Sequence, residues 1–316
     1  MWSCGSSCPI PELDPVLPGV GAAGAWQAEH MSDSDTPTPG EYASVRIEKS
    51  ARHPHVAQVT LIGPGRNNTM GPDFWTEMPR VMAELDADPE IRAAVIAGEG
   101  RNFTYGLDLM AMMPQFMEFL PTDNAPDVSR NEKILDFVET MRQAIDSVAS
   151  AKTPTVAAVQ GRCIGGGIDL ISACDVRHGS ADSTYSVREV KVGIVADMGS
   201  LARLPYIIGS GLTRELALTG RDIDADTALR YGLITHLADD AAGVLDSAHA
   251  TAAEIADNPP LVVRGTREVL NRAIDGPIYE SNRYVATWNA GFLASADMME
   301  AIGSTMEKRG VKYTGR

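Results

Sequence analysis

The sequence predicts an α/β fold with an added layer of helices at its C-terminal end. Between residue 42 and about residue 245, short stretches typical of strands alternate with stretches of helical periodicity, and from about residue 246 onward the pattern is helical throughout. Strands that alternate with helices form an α/β core, and the terminal helices are expected to serve in assembly. The composition agrees, because 44% of the 316 residues are apolar and 22% are charged.

Residues 1–40 differ from the rest of the chain and are predicted to be a disordered extension. They contain six prolines and five glycines but no Lys or Arg, and the first positive charge of the chain is Arg46. A secretory signal needs a basic start and a transit peptide needs arginines, so we expect a cytoplasmic location. Gly19, Gly21 and Gly24 spell G-x-G-x-x-G, but the proline-rich residues before them cannot form the strand that a dinucleotide site requires.

The sequence of the first part of the core predicts two strands, a helix and a third strand. Alternation at residues 45–47 and 56–62 is typical of strands joined by a turn. A helix capped by Asp73 follows, and Pro79 inside it predicts a kink or a late start because proline removes a backbone hydrogen bond. Its apolar face consists of Phe74, Met78, Val81, Met82 and Leu85. The run at residues 93–98 predicts a buried strand.

The second part repeats this arrangement and then becomes helical. Apolar residues between 134 and 148 recur at helical spacing, and residues 155–159 form a buried strand pattern. A glycine turn and a helix through Ile171 come next, followed by short strands and turns beyond Tyr185. We therefore divide the chain into the extension at residues 1–40, a core at 41–245 and a helical region at 246–316, whose last helix covers 296–308.

Two glycine-rich turns, at residues 98–109 and 161–170, each follow a buried strand. Glycine lets another backbone or a ligand approach closely, and a turn into a helix leaves backbone N–H groups pointing outward. One N–H from each turn can hold an oxygen that becomes negative during a reaction. Two ordinary connections between a strand and a helix explain the same pattern.

Three carboxylates follow the second turn closely. Asp169 falls in a first helical turn, where the helix dipole favours an acid whatever the function. Asp197 precedes a helical segment and can be its cap. Glu189 has basic neighbours at Arg188 and Lys191 and can be a solvated charge. Taken singly, none of the three indicates catalysis.

Several segments together resemble one known family. The two turns, taken with PGRNNTM around Arg66, are similar to the crotonase superfamily, also called the enoyl-CoA hydratase/isomerase family, from about Val56 to the C-terminus. Within this superfamily, the chain most resembles the dienoyl-CoA isomerases. The segments that carry this resemblance are FTYGLDLMAM, CIGGGIDLISACDVR, REVKVGIVADMGSLARLP and YVATWN. The resemblance implies a crotonase-like spiral of ββα units with a helical C-terminal oligomerisation region, assembled as a homotrimer or homohexamer.

The resemblance also implies roles for individual residues. The backbone N–H groups of Leu107 and Gly166 would form the oxyanion hole. Glu189 and Asp197 would be the acid–base pair, with Asp169 assisting. Generic hydratases carry Glu in place of Asp169 and a small residue in place of Asp197, so the present residues favour an isomerase.

The substrate-binding residues are assigned by the same resemblance. They are Arg66, Gly106, Asp108, Gly165 and Lys308. Arg66 and Lys308 would bind the anionic coenzyme A, although both can equally be exposed surface cations.

The reaction implied is the conversion of a 3,5-dienoyl-CoA into a 2,4-dienoyl-CoA, as in fatty-acid oxidation. It passes through a dienolate whose charge sits on the thioester oxygen, where hydrogen-bond donors lower the barrier. Our hypothesis is that Glu189 removes the proton near the thioester and Asp197 delivers one to the distal carbon, although which residue plays which role is open. Acyl chain length and the choice between trimer and hexamer are open as well.

Other functions remain as alternatives or are disfavoured. An enoyl-CoA hydratase or another enoyl-CoA isomerase is possible on the same fold, and so is a catalytically silent binding subunit. A formal charge of −15 argues against a nucleic-acid partner, and no apolar run is long enough to cross a bilayer. We expect no metal and no cofactor, since coenzyme A belongs to the substrate. Cys163 and Cys174 are expected to be buried reduced thiols.

Overall fold

The computed structural model describes residues 41–63, 67–119 and 128–315. Its strands are, in chain order, β1 (Val45–Lys49), β2 (Val56–Leu61), β3 (Ala93–Gly98), β4 (Thr155–Val159), β5 (Arg162–Ile164), β6 (Val176–Ser180), β7 (Thr184–Ser186), β8 (Ile223–Asp224) and β9 (His236–Ala238). Its α-helices are α1 (Pro72–Ala87), α2 (Met113–Glu118), α3 (Val128–Ser150), α4 (Gly166–Ala173), α5 (Ser200–Ile207), α6 (Gly209–Thr219), α7 (Ala225–Tyr231), α8 (Ala241–Asp257), α9 (Pro260–Arg272), α10 (Asp275–Phe292) and α11 (Ala296–Met306). A short 3-10 helix covers Glu189–Val192.

The strands form a six-stranded sheet and a three-stranded sheet. The large sheet has the order β1-β2-β3-β4-β6-β9, in which only β1 and β2 pair antiparallel. The small sheet has the order β5-β7-β8. In the stretch β4-β5-α4 the chain passes from the large sheet to the small one and then into a helix, which is one ββα unit. The predicted α/β fold with its ββα spiral is confirmed.

The central strands are short apolar runs because they are covered on both faces. In β3 and β4, Val95 and Val156 pack against the alanine-rich face of α8, whereas Ile96 and Ala157 belong to the larger core on the other face. Successive side chains of a strand point to opposite faces, so both faces must be apolar when both are buried. Parallel neighbours bring the carboxyl ends of β3 and β4 to the same edge of the sheet.

The structure corrects two details of the first predicted helix. The helix begins at Pro72 and its N-cap residue is Gly71, so Asp73 lies in the first turn and does not cap it. Proline is well suited to a first helical position because its missing N–H would have no partner there. Of the two effects predicted for Pro79, a late start is excluded because α1 continues through Pro79 to Ala87, and the kink stays a prediction.

The other predicted elements are observed with small changes of boundary. The helix predicted at 134–148 lies within α3, and the last predicted helix ends at Met306. The second glycine turn contains the short strand β5, which the sequence pattern did not predict. Cys163 and Cys174 are buried free thiols, as predicted.

Between Ala241 and Met306 the chain consists of the helices α8 to α11, and α9 and α10 expose apolar side chains. These are Leu261, Val262, Val269, Leu270, Tyr279, Tyr284, Trp288 and Phe292. The division into three regions stays a prediction, and residues 1–40 with their G-x-G-x-x-G pattern lie outside the described residues. None of the described helices combines the length and the apolar character needed to cross a membrane.

Candidate active site

An apolar cavity of about 780 Å³, including its open mouth, lies between the two glycine turns. Its polar lining consists chiefly of Asp169, Arg188, Glu189 and Asp197. The rest of the lining is apolar or backbone: Trp75, Tyr105, Leu107, Leu109, Phe116, Phe137, Val138, Met141, Ile164, Gly165, Gly166, Val192, Ile194, Met198 and Leu293. The three carboxylates that follow the second turn in sequence therefore meet in one pocket.

The first turn presents the backbone N–H of Leu107. Met70 N donates to Gly106 O at 2.8 Å, and Asp108 N donates to Met70 O at 3.0 Å, which fixes the residues on both sides of Leu107. In this parallel bridge the intervening N–H points the other way and has no acceptor among the described residues.

Gly106 lets the two turns approach each other. Its φ is +76°, and a Cβ on it would lie 2.5 Å from Ile164 O and 2.9 Å from Gly166 N. Both the left-handed conformation and the lack of space require glycine here. The absence of a side chain at this position is what brings the first turn against the start of α4.

The second turn presents the N–H of Gly166, the first residue of α4. Gly165 has a φ of +54°, and its own N–H donates to Ser186 O at 2.9 Å. The Cβ position of Gly166 is only 3.8 Å from Leu107 N. The Gly166 N–H also has no acceptor in the described part of the chain. Two unpaired donors, one at a helix start, thus lie together and can bind an oxygen that carries negative charge.

Glu189 begins the 3-10 helix and turns its carboxyl group toward the second turn. A Cβ on Gly165 would lie 3.3 Å from Glu189 Oε1, so this oxygen lies beside the second turn. Oε2 is sealed from solvent and has no hydrogen-bond partner within the described residues. Burial raises the pKa of Glu189 well above its ordinary value, and the nearby charge of Asp169 raises it further.

Asp169 is 1% exposed and lies in the first turn of α4, where the sequence predicted it. Its Oδ1 accepts a hydrogen bond of 2.6 Å from Ser200 N at the start of α5. Burial raises its pKa, whereas the Ser200 donor and the nearby Arg203 oppose this rise. Two buried carboxyl groups as close as Asp169 and Glu189 resist being ionised together, so the pair retains a proton to unusually high pH.

Asp197 is 8% exposed and accepts a 2.6 Å hydrogen bond from Asn289 Nδ2. Its pKa is raised from 3.8 to about 7, first by burial and then by the charge of Asp169, against the opposing effect of Asn289. The alternative role as a helix cap is not observed, because Gly199 is the N-cap residue of α5. A carboxyl group that titrates near neutral pH can both donate and accept a proton.

Three further buried residues were missed by the sequence analysis. Asn289 comes from α10, and its one signal was its place in the segment YVATWN. Arg142 and Arg203 both pair with Asp146, at 3.1 Å and 2.5 Å. Both guanidinium groups lower the pKa of a cavity acid, Arg142 that of Asp197 and Arg203 that of Asp169.

The remaining predicted residues lie apart from the cavity lining or outside the described chain. The carboxylate of Asp108 accepts from Met110 N and Ala111 N and from the Thr69 hydroxyl. Lys308 is exposed, with a φ of +52°, just past the end of α11. Arg66 lies outside the described residues. Substrate binding by these three residues stays a prediction.

A metal centre needs several His, Cys, Asp or Glu side chains as ligands of the metal ion. Nowhere in the described ranges do three or more His, Cys, Asp or Glu side chains form a group suited to a metal ion. The expected absence of a cofactor stays a prediction.

Comparison with known proteins identifies the family. A family model described as Enoyl-CoA hydratase/isomerase matches residues 51–316. The chain belongs to the enoyl-CoA hydratase/isomerase family.

Members of this family are similar to the chain in sequence and in structure. A protein of Dictyostelium discoideum named Delta(3,5)-Delta(2,4)-dienoyl-CoA isomerase, mitochondrial, is 40% identical over 272 residues, or 85% of this chain and 90% of the relative. Its peroxisomal namesake from Arabidopsis thaliana is 34% identical and covers 87% of this chain and 99% of its own length. The crystal structure of an enoyl-CoA hydratase/isomerase from Mycobacterium paratuberculosis has a TM-score of 0.72 at 27% identity, over 85% of this chain and 99% of that one.

Proposed function

We propose that this protein is a dienoyl-CoA isomerase that converts 3,5-dienoyl-CoA thioesters into 2,4-dienoyl-CoA thioesters. One observation carries the proposal: three buried carboxyl groups share an apolar cavity with two backbone donors from separate turns that have no acceptor among the described residues. A CoA thioester is the substrate class of the family, and relatives that match over most of the chain carry the isomerase name.

The reaction begins at the thioester end of the cavity. The carbonyl oxygen lies between the N–H groups of Leu107 and Gly166, which stabilise the negative charge that develops on it; one such donor is worth roughly 3–4 kcal/mol of barrier. Glu189, whose Oε1 lies beside the second turn, removes a proton from C2. Its raised pKa makes the ionised carboxylate a strong base for a weakly acidic C–H bond.

The second proton transfer occurs at the far end of the diene. The electron pair of the C2–H bond moves through the conjugated system, so the C3=C4 and C5=C6 bonds become C2=C3 and C4=C5. C6 takes a proton from Asp197, whose pKa of about 7 keeps it protonated in part at neutral pH. Glu189 has then gained one proton and Asp197 has lost one, and solvent exchange restores the starting state.

Asp169 assists without touching the reacting carbons. Its carboxylate is held by Ser200 N, and its charge raises the pKa of Glu189. The hydratase alternative needs Asp169 and Glu189 to hold a water between them. Since relatives that match over most of the chain carry the isomerase name, we favour the isomerase.

Absorbance spectroscopy distinguishes the two reactions. The purified protein is mixed with a 3,5-dienoyl-CoA in one cuvette and with a 2-enoyl-CoA in another. An isomerase produces the absorbance of a conjugated 2,4-dienoyl thioester in the first cuvette, whereas a hydratase removes the enoyl band in the second. Rapid loss of the enoyl band with no change in the first cuvette would reject the proposal.

We also propose that the reaction needs no cofactor and that the protein acts as a homotrimer or homohexamer. Proton transfer between carboxyl groups requires no redox group. The exposed apolar side chains of α9 and α10, among them Leu261 and Tyr284, are suited to contact with other copies of the chain. Arg66 and Lys308 are proposed to bind the phosphates of coenzyme A. Light scattering gives the mass of the assembly, and a monomer would contradict this part.

A cytoplasmic location is proposed on the basis of chemistry alone. The two free buried thiols, Cys163 and Cys174, suit a reducing compartment. The names of the two relatives place those proteins in mitochondria and peroxisomes. Fluorescence microscopy of the full chain and of residues 1–40 fused to a reporter tests the proposal, and accumulation of either in an organelle would contradict it.

A further inference from the structure

Asn289 connects the C-terminal helical region to the cavity. It lies in α10, is 2% exposed, and belongs to the same face of that helix as Val285 and Ala286, which are also buried. From this position its Nδ2 atom donates to Asp197 Oδ2 at 2.6 Å and to Val195 O at 2.9 Å. One side-chain amide thus holds both the carboxyl group and the backbone two residues before it.

The orientation of this amide follows from its partners. Val195 O is a carbonyl oxygen and can only accept, so the nitrogen of the Asn289 side chain must face it. The same nitrogen then presents its second hydrogen to Asp197. A donor in this position binds the ionised carboxylate more strongly than the protonated acid, because the ionised oxygen is the better acceptor.

The other charged groups around Asp197 do not replace this contact. Asp169 from α4 accepts a hydrogen bond from Ser200 N, and neither Asp169 nor Glu189 of the 3-10 helix is hydrogen-bonded to Asp197 among the described residues. Arg142 from α3 directs its guanidinium to Asp146 and to the backbone oxygen of Asn282. Among the described residues, Asn289 is therefore the one side chain that donates a hydrogen bond to Asp197.

We propose that Asn289 is a positioning residue for the proton-donating carboxyl group, which it aims into the cavity and whose proton release it sets. The proposal rests on the proposed function for the role of Asp197 in turnover. The contact itself requires no substrate, so it can be tested apart from activity.

The physical consequence is a change in the titration of Asp197. Without the Asn289 donor, burial and the charge of Asp169 act on Asp197 with less opposition, and its pKa rises further. A hydrogen bond to a charged group is worth enough to displace a titration by about one to two pH units. The carboxyl group also loses its fixed direction, and misplacement of a reacting group by about 1 Å can cost 10²-fold in rate.

Two measurements test the proposal on Asn289→Leu, with Asn282→Leu as the matched control. Asn282 is also a buried asparagine of α10, two turns earlier, and among the described residues its side chain donates no hydrogen bond to Asp197. The first measurement is a ¹³C NMR titration of labelled aspartate carboxyl groups in the substrate-free protein, with Asp197→Asn assigning the signal. The second is the pH dependence of kcat and of kcat/KM on a 3,5-dienoyl thioester.

The expected result is specific to Asn289→Leu. The Asp197 signal titrates about one to two pH units higher, the alkaline limb of kcat/KM moves in the same direction, and kcat falls about tenfold or more while KM changes little. In an Asp197→Asn background, Asn289→Leu causes no further loss of kcat. The control Asn282→Leu leaves the titration in place.

An unchanged Asp197 titration in folded Asn289→Leu would overturn the proposal even if activity fell, because the residue would then act only on the structure. If Asn289→Leu does not fold, Asn289→Ser takes its place, since serine is too short to reach the carboxylate. A wild-type protein without turnover on the dienoyl thioester would reject the proposed function, and the NMR titration would still decide the role of Asn289.

Discussion

Replacing Asp197 by asparagine is expected to stabilise the folded protein at alkaline pH while it lowers the rate of turnover. Asn is nearly isosteric with Asp, and its side-chain oxygen can still accept from Asn289. The variant removes only the requirement to hold a charge in an apolar cavity. Since positioned acids contribute about 10²–10⁴-fold to rate, kcat is expected to fall by that factor.

The size of the stabilisation follows from the pKa of Asp197. In the folded protein this pKa is about 7, against an ordinary value of 3.8. Between these two values the unfolded chain has lost the proton and the folded one has kept it, so stability decreases as pH rises. At about 1.4 kcal/mol per pH unit, the roughly three-unit difference costs the wild type about 4 kcal/mol above pH 7 and less than about 1 kcal/mol near pH 4.

Urea denaturation of Asp197→Asn and the wild type at about pH 5 and about pH 8, at one protein concentration, measures this cost. The gain in unfolding free energy should be about 2 kcal/mol at the lower pH and about 4 kcal/mol at the higher. Asp136→Asn, which removes an exposed carboxyl group of α3, is the control and should change stability by less than about 0.5 kcal/mol at both. A variant destabilised equally at both pH values would refute the reasoning.

Three further predictions concern the base, the oxyanion hole and metal ions. Glu189→Gln should lower kcat by about 10²–10⁴-fold and remove the acidic limb of the pH–rate profile, because the limb reports ionisation of this base; a retained limb would contradict its role. Gly106→Ala should lower kcat by about 10²–10³-fold, because the added Cβ would lie 2.9 Å from Gly166 N and force the two donors apart. Gly100→Ala is its control, since Gly100 has a similar φ of +72° but open space around it, and equal losses in both variants would reject the explanation. Dialysis against EDTA should leave kcat unchanged, and restoration of a lost activity by a divalent metal would contradict the proposal that no cofactor is needed.

Periodicity predicted the elements of the core well because it reports burial. The strands β3 and β4 are continuous apolar runs since both of their faces are covered, and α3 has its apolar face toward the core. Boundaries were less certain, because a helix start depends on which residue ends the preceding loop. Thus α1 begins at Pro72 rather than after a cap at Asp73.

The sequence singled out most residues of the candidate site one by one. Gly106 and Gly165 stand out in sequence, and both have the positive φ that only glycine adopts readily. The acids Asp169, Glu189 and Asp197 were candidates, although each had an ordinary explanation. The family resemblance predicted that these three acids act together. In the structure all three line one cavity, as a shared catalytic role requires.

By itself the sequence determined the local conformations, the order of strands and helices, and the supply of acids and glycines, since these depend on neighbours along the chain. Tertiary structure alone decided that Ser200 N holds Asp169 and that Asn289, 92 residues from Asp197, donates to it. It also decided that Asp197 titrates near neutral pH. Hydrogen bonds between distant segments and the loss of water around a carboxyl group arise only when the chain has folded, and no spacing of residues encodes them.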